Sequence, residues 1–308
     1  MVGTKPDGKR MSSVQIEKEI DKQLKRLQDL RSKPCYPLLL TSTDIGPGLV
    51  DDVYDDLRGK YGSDCSQLDV VVDSGGGDID AAYNLGQLFR SFGGECLTFI
   101  VPRWAKSAAT LLVCAGDSIL MTPVAELGPV DPQITQMNPL ERRLESFSPL
   151  HIESTLQLIR DEYKTGNKEL ADGLMQRLQF PLTLGRFKKS IDLGKQYLIK
   201  LLSTRMLKQP SDSTAVAKML TEGYPDHGFC INLEEAQAIG LKAEPLVGDQ
   251  LEVVWQIHCL TLQKREIEQE KKKKDIAKRI KELPSDLIQK LPPGLSGRPN
   301  QTSSPSQN

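Results

Sequence analysis

The chain has 308 residues, with 40 Lys and Arg against 41 Asp and Glu, a net charge of −1, 38% hydrophobic and 5% aromatic content. That length suits one core domain of about 200 residues with appended segments, and the even charge balance gives no electrostatic reason to expect a nucleic-acid partner. No stretch approaches ~18 apolar residues and the opening MVGTKPDGKR has no apolar leader, so a cytoplasmic chain without a membrane segment is expected.

Residues 1–12 are polar and read as disordered. Residues 14–33 carry Ile16, Ile20, Leu24, Leu27 and Leu30 as a narrow apolar stripe on an otherwise charged helix. Such a helix either rests on its own domain or pairs with a partner helix, and Pro34 and Pro37 are expected to end it. YPLLLT at 36–41 predicts a first buried strand, residues 49–61 a helix and 68–72 a second strand. The second strand stops at Asp73-Ser74-Gly75-Gly76-Gly77, where glycines leave backbone N–H groups uncovered and allow close approach of another chain. Helical spacing of Ile79, Ala82, Leu85, Leu88 and Phe89 follows, then an apolar run at 97–101. Residues 107–115 (SAATLLVCA) hold no charge and predict a helix packed in the core. The alternation of strands and helices implies a largely parallel, layered sheet.

Beyond Gln133 the sequence predicts a Pro- and Asn-containing loop, then a helix opened by Ser148-Pro149 with Ile152, Leu156 and Ile159 on one side. A charged segment at 160–172 and a helix at 187–207 come next. Residues 215–220 lead into the turn-rich Gly223-Tyr224-Pro225-Asp226-His227-Gly228. Ile231 to Leu241 (INLEEAQAIGL) reads as a capped helix closed by Gly240. Residues 253–280 form a charged helix whose run Lys271-Lys272-Lys273-Lys274 lacks interleaved aromatics and reads as a solvated face. From Pro284 the Pro, Ser, Gln and Asn content predicts a disordered tail. The expected division is therefore 1–33, 34–247, 248–283 and 284–308, with no internal repeat.

The six cysteines (Cys35, Cys65, Cys96, Cys114, Cys230, Cys259) contain no C-x-x-C, and Cys96 and Cys114 sit in apolar runs as expected buried thiols. Three histidines without metal-like spacing argue against zinc. The absence of G-x-x-x-x-G-K-[ST] means that the chain is not itself an ATPase. No cofactor is expected.

Ser107 opens an apolar helix, where its Oγ would lie near helix N-terminal N–H groups that favour developing negative charge. Taken alone, a helix cap and a tight glycine turn account for both features. Together, SGGGD after a strand, KSAATLLVCAGDSILMTP about thirty residues later and then LGPVDPQ resemble the Clp-protease/crotonase superfamily. More narrowly they resemble the SDH (serine dehydrogenase proteinase) family of Clp-fold serine proteinases, related to signal peptide peptidase A-like and stomatin-operon proteases. The resemblance covers roughly residues 38–247 and is strongest over 73–133. It implies an α/β fold, a layered spiral of βαβ units with appended N- and C-terminal helices. It also implies a serine peptidase acting on peptides or unfolded protein through a Ser107 acyl-enzyme. The N–H groups of Gly77 and Ala108 then form the oxyanion hole, with Gly76 keeping the turn open. Homo-oligomers are common in the superfamily, so contacts through residues 14–33 or 253–280 are expected.

The resemblance leaves the general base open. Clp-type peptidases place a histidine where this chain reads Leu127-Gly128-Pro129, and none is there. Relatives with a lysine base carry it at a helix start that corresponds here to His151. His227 is a second candidate, in the loop that supplies the acidic triad member of Clp-type enzymes; Asp226 would orient it only if the backbone folded back. Lys188, Lys189 and Lys195 are a third group, and His258 reads as structural. A catalytically inactive oligomeric scaffold and a crotonase-type acyl-CoA enzyme stay as alternatives.

Overall fold

The computed structural model describes residues 11–40, 43–62, 65–131, 134–137, 144–147, 149–177 and 184–281. Helix α1 (Ser13–Arg31) starts at Ser12, whose Oγ accepts from the Gln15 N–H while Gln15 Oε1 accepts from the Ser12 N–H. This reciprocal pair satisfies two backbone donors that a helix start leaves open. The helix stops at Ser32, which adopts a left-handed conformation (φ 52°). Strand β1 (Cys35–Leu40) therefore contains Pro37 in its middle. Because β1 pairs only with β2 (Gln67–Ser74), it is an edge strand, where a missing N–H is tolerated.

Helix α2 (Pro47–Tyr61) precedes β2, and α3 (Ile79–Phe92), β3 (Cys96–Val101) and β4 (Trp104–Ala105) follow it. Next come α4 (Ala108–Val113), β5 (Ser118–Met121) and β6 (Glu126–Leu127). A hairpin of β7 (Ile134–Met137) and β8 (Leu144–Phe147) leads to α5 (Pro149–Lys164), α6 (Lys168–Arg177), α7 (Leu184–Thr204) and α8 (Pro210–Glu222). The described chain closes with α9 (Leu233–Ala238), β9 (Ala243–Pro245) and α10 (Gly248–Lys281).

The main sheet is wholly parallel, with β2 flanked by β1 and β3, β5 and β9 continuing outward, and β4 and β6 extending the carboxyl end of β2. Both faces are covered, which is why its strands read as unbroken apolar runs. Leu68, Val70, Val72, Phe99 and Ile119 face α3, α4, α7 and α8 in the main core, where Leu85, Phe89, Leu112, Leu201 and Leu220 are buried. The alternate residues Val71, Ile100 and Leu120 face a second core built by α1 and α10 from Ile16, Ile20, Leu24, Leu27, Val253 and Ile257. The fold is thus the expected α/β layered arrangement with helices appended at both ends. No helix among the described residues is long and apolar enough to cross a membrane.

Four details differ from the sequence expectations. The stretch after Gln133 is a β-hairpin on either side of residues 138–143, not only a loop. The charged stretch at 160–172 belongs to α5 and α6, held by Ile159 and Ala171 turned inward. Leu30 is exposed, so the α1 stripe ends at Leu27. Cys114 is buried, whereas Cys96 opens β3 half-exposed and receives the Lys33 ammonium at 3.2 Å. The stripes of α1 and α10 pack against each other within the chain, so these apolar faces are not free for contacts between chains. Residues 1–10 and the expected tail lie outside the described residues.

Candidate active site

The buried strand β2 delivers the glycine turn to the carboxyl edge of the sheet. Ser74 Oγ accepts from the Gly76 N–H (3.1 Å), folding the turn back on itself. Gly76 and Gly77 hold φ values of 115° and 142°, a region that side chains rarely adopt. Space forbids a side chain as well: a Cβ on Gly76 would lie 2.9 Å from Ser107 Cβ, and one on Gly77 would lie 2.3 Å from the Ile45 carbonyl oxygen. Ile45 pairs with the turn, donating to the Gly76 carbonyl (2.8 Å) and accepting from the Asp78 N–H (2.7 Å). That pattern leaves the intervening Gly77 N–H outside the pairing.

Ser107 sits between β4 and α4 with φ 53° and ψ −121°. A non-glycine residue there carries a backbone strain on the order of 1–3 kcal/mol. Its hydroxyl makes no capping bond to α4, so the side chain is not committed to the helix. All six residues of α4 are buried, which anchors the strained residue from one side. On the other side the Lys106 N–H donates to the Ser74 carbonyl (3.1 Å), tying the serine elbow to the glycine turn. Thr110 Oγ1 donates to the Ala105 carbonyl (2.6 Å) and accepts from the Gly128 N–H (3.0 Å). Ala108, first in α4, has one of the N–H groups that a helix start leaves without an intrahelical acceptor.

The segment after β6 and the loop after α8 meet through a two-bond bridge. Leu127 N–H donates to the Ile231 carbonyl (2.9 Å) and Ile231 N–H returns to Leu127 (3.1 Å), while Val130 N–H donates to Leu220 (2.8 Å). This joint sets Asp131 beside His227, with Nδ1 and Oδ1 2.5 Å apart. Asp131 is buried, and the imidazole is 31% exposed. A carboxylate accepts, so Nδ1 is the donor in this pair, and in the neutral imidazole that puts the lone pair on Nε2. Ser107, Ala108, Gly76, Gly77, Asp131 and His227 line one cleft of about 490 Å³.

The remaining candidates whose side chains are described lie elsewhere. Asp226 Oδ1 accepts from the Gly228 N–H (2.7 Å), closing its own turn rather than orienting His227. Lys195 is paired with Glu222 at 2.6 Å and Lys189 is exposed on α7, neither lining the cleft. The side chains of His151, in the first turn of α5, and of Lys188 lie outside the described residues. His258 is buried on α10 with Nδ1 2.5 Å from Asp73 Oδ2 and its ring edge-on to Trp104. Lys106, next to the serine, pairs with Glu126 (2.9 Å) and donates to the Phe229 carbonyl (3.3 Å). Burial alone would raise the Glu126 carboxyl, but hydrogen bonds from Lys106 and Arg103 outweigh it and hold the group below the usual carboxylate range. Sequence reasoning gave Asp131 no role, although it stands inside the LGPVDPQ motif; only the fold reveals its partner.

A family model described as ClpP-like SDH-type serine proteinase matches residues 57–267. The uncharacterized protein MJ0137 of Methanocaldococcus jannaschii is 26% identical over 198 residues, 64% of this chain and 60% of that protein. A second protein of that organism, the uncharacterized protein MJ1495, is 24% identical over 57% of this chain and 51% of its own length. The chain thus spans between half and two thirds of the curated relatives it matches. Among solved structures, a mutant of the 1510-N membrane-bound stomatin-specific protease has a TM-score of 0.43 at 13% identity, covering 70% of this chain and 82% of that one. ClpP1 from Listeria monocytogenes has 0.39 at 11%, covering 75% and 95%. With the family model spanning the glycine turn, the serine elbow and the histidine loop, the chain belongs to the ClpP-like SDH-type serine proteinases.

Proposed function

We propose that the chain is a serine peptidase in which Ser107 is the nucleophile, His227 the general base and Asp131 the group that orients it. The observation that carries this reading is the shared cleft. A strained serine free of any capping bond faces the same space as an imidazole whose other nitrogen is held by a buried carboxylate. His227 is preferred to His151 because its ring lines that cleft and has its orienting partner.

The chemistry runs as two acyl transfers. Ser107 Oγ attacks the peptide carbonyl carbon as its proton passes to His227 Nε2, and the carbonyl oxygen becomes an oxyanion. The N–H groups of Gly77 and Ala108 are the donors for that charge, and Gly76 lets the turn lie against Ser107, where a side chain would not fit. Collapse breaks the C–N bond, and the leaving amine takes the proton from Nε2. Water then attacks the Ser107 ester, gives its proton to Nε2, and the carboxylic product leaves as the proton returns to Oγ. Asp131 keeps the imidazole in the required tautomer and stabilises the imidazolium while it exists.

The test is covalent labelling with a fluorophosphonate, followed by hydrolysis of unfolded protein. Wild type should label on Ser107; Ser107→Ala should not, and His227→Ala should label at least ~100-fold more slowly. A wild-type chain that resists labelling while folded would favour the inactive scaffold. Acyl-CoA turnover that survives Ser107→Ala would favour the crotonase-type enzyme.

A further inference from the structure

One stripe of α10 changes character along its length. Val254, His258 and Thr261 lie on the face turned to the sheet and are buried. The next residues at the same helical spacing are Arg265, Gln269 and Lys272, so the stripe becomes cationic where it clears the sheet. These three do not simply point at solvent. With Ser74, Gly75 and Trp104 they line a cavity of about 600 Å³. That cavity adjoins the catalytic cleft, for Asp44 and Gly75 line both. Lys272 is thereby set apart from the other lysines of its run.

The charges facing this space are unequal. Lys106 is engaged by Glu126, and Asp73 by His258. Asp44, on the rim, is the remaining carboxylate against the two cations Arg265 and Lys272. The register of those cations is fixed: the His258–Asp73 hydrogen bond locks α10 to the residue immediately before Ser74-Gly75. A substrate chain leaving Ser107 past Gly75 would therefore enter a space where α10 presents fixed positive charge.

We propose that this cavity is a substrate subsite, in which Arg265 and Lys272 recognise acidic side chains of the peptide beside the scissile bond. The proposal rests on the peptidase reading of the cleft and adds a preference for acidic sequence, supplied by the C-terminal helix. Two cations at half-exposed to exposed positions favour a pair of carboxylates by about 3- to 10-fold in Kd, and the gain shrinks with salt.

The test uses the full chain carrying Ser107→Ala, which binds without turnover. The probes are fluorescein-labelled decapeptides of Gly, Ala and Leu with two Glu, or two Gln, near one end or the other. Anisotropy should show tighter binding of a Glu peptide than of its Gln counterpart. Arg265→Ala with Lys272→Ala should bring the two Kd values together, and Arg265→Lys with Lys272→Arg should keep them apart. Reversal to Glu at both positions should favour a matching Lys peptide. Circular dichroism and thermal melting check that each variant is folded. Equal Kd values for Glu and Gln peptides, undetectable binding of both, or discrimination that survives the alanine pair would each overturn the subsite. Fluorophosphonate labelling of the wild-type chain separately reports whether the peptidase reading itself stands.

Discussion

At Ser107 the backbone, more than the hydroxyl, bears on stability. The Oγ caps nothing, so Ser107→Ala should change the unfolding free energy by no more than about 0.5 kcal/mol while abolishing labelling. Ser107→Gly should do the reverse of what a lost side chain usually does. Release of a strain on the order of 1–3 kcal/mol outweighs the cost of glycine in the unfolded chain, so urea denaturation should show a net gain. Gly77→Ala is the contrary case: its Cβ would meet the Ile45 carbonyl oxygen at 2.3 Å, and a loss above ~2 kcal/mol is expected in the same measurement. A Gly77→Ala chain as stable as wild type would show that the turn has another conformation. Ser107 and the glycines were legible because their residue types sit in a short, ordered motif. The partnership of Asp131 with His227 was not, because it spans 96 positions and depends on the Leu127–Ile231 bridge. Asp226, the neighbour in sequence, spends its carboxylate on its own turn.

Among the elements, α1 is fastened at its end as well as along its stripe. The Arg31 guanidinium reaches the fully buried Asp69 carboxylate on β2 and donates to Gln250 Oε1 on α10 (3.2 Å). Arg31→Met would strand a buried charge, and a loss of about 3–5 kcal/mol is expected from chemical denaturation. Adding Asp69→Asn should recover part of it; no recovery would mean that the guanidinium acts by packing alone. A pH effect belongs to the 103–106 and 126 segments around the serine. Glu126 has a folded pKa below its ordinary value, so its contribution is present above the unfolded pKa and lost as pH falls through the folded one. The melting temperature of Glu126→Gln should therefore trail wild type near neutrality and converge with it in acid. A gap that stays constant into acid would defeat this account. Strands and helices of the core were readable from apolar periodicity. The hairpin and α6 were not, since the strands of the one are short and the other is charged, and such elements take their conformation from neighbours rather than from a strong pattern of their own.

For the molecule as a whole, burial of the α1 and α10 stripes moves the expected chain-to-chain contacts elsewhere. Leu158 and Tyr163 on α5 and Leu170 and Met175 on α6 are all about half exposed, an arrangement that suits a helical arm covered by another copy. We expect a homo-oligomer joined through this arm. Light scattering should give a multiple of the chain mass, falling on Leu158→Glu with Leu170→Glu. A wild-type monomer at micromolar concentration would end that expectation.

The joint between Leu127 and Ile231 has a consequence for the order of synthesis. Ser107, the glycine turn and Asp131 all leave the ribosome before the loop that carries His227, which follows Asp131 by 96 positions. Until that loop has emerged and closed onto Leu127, Ser107 has no paired imidazole to take its proton. On the proposed mechanism, competence to cut should therefore arrive late, with the closing of the fold.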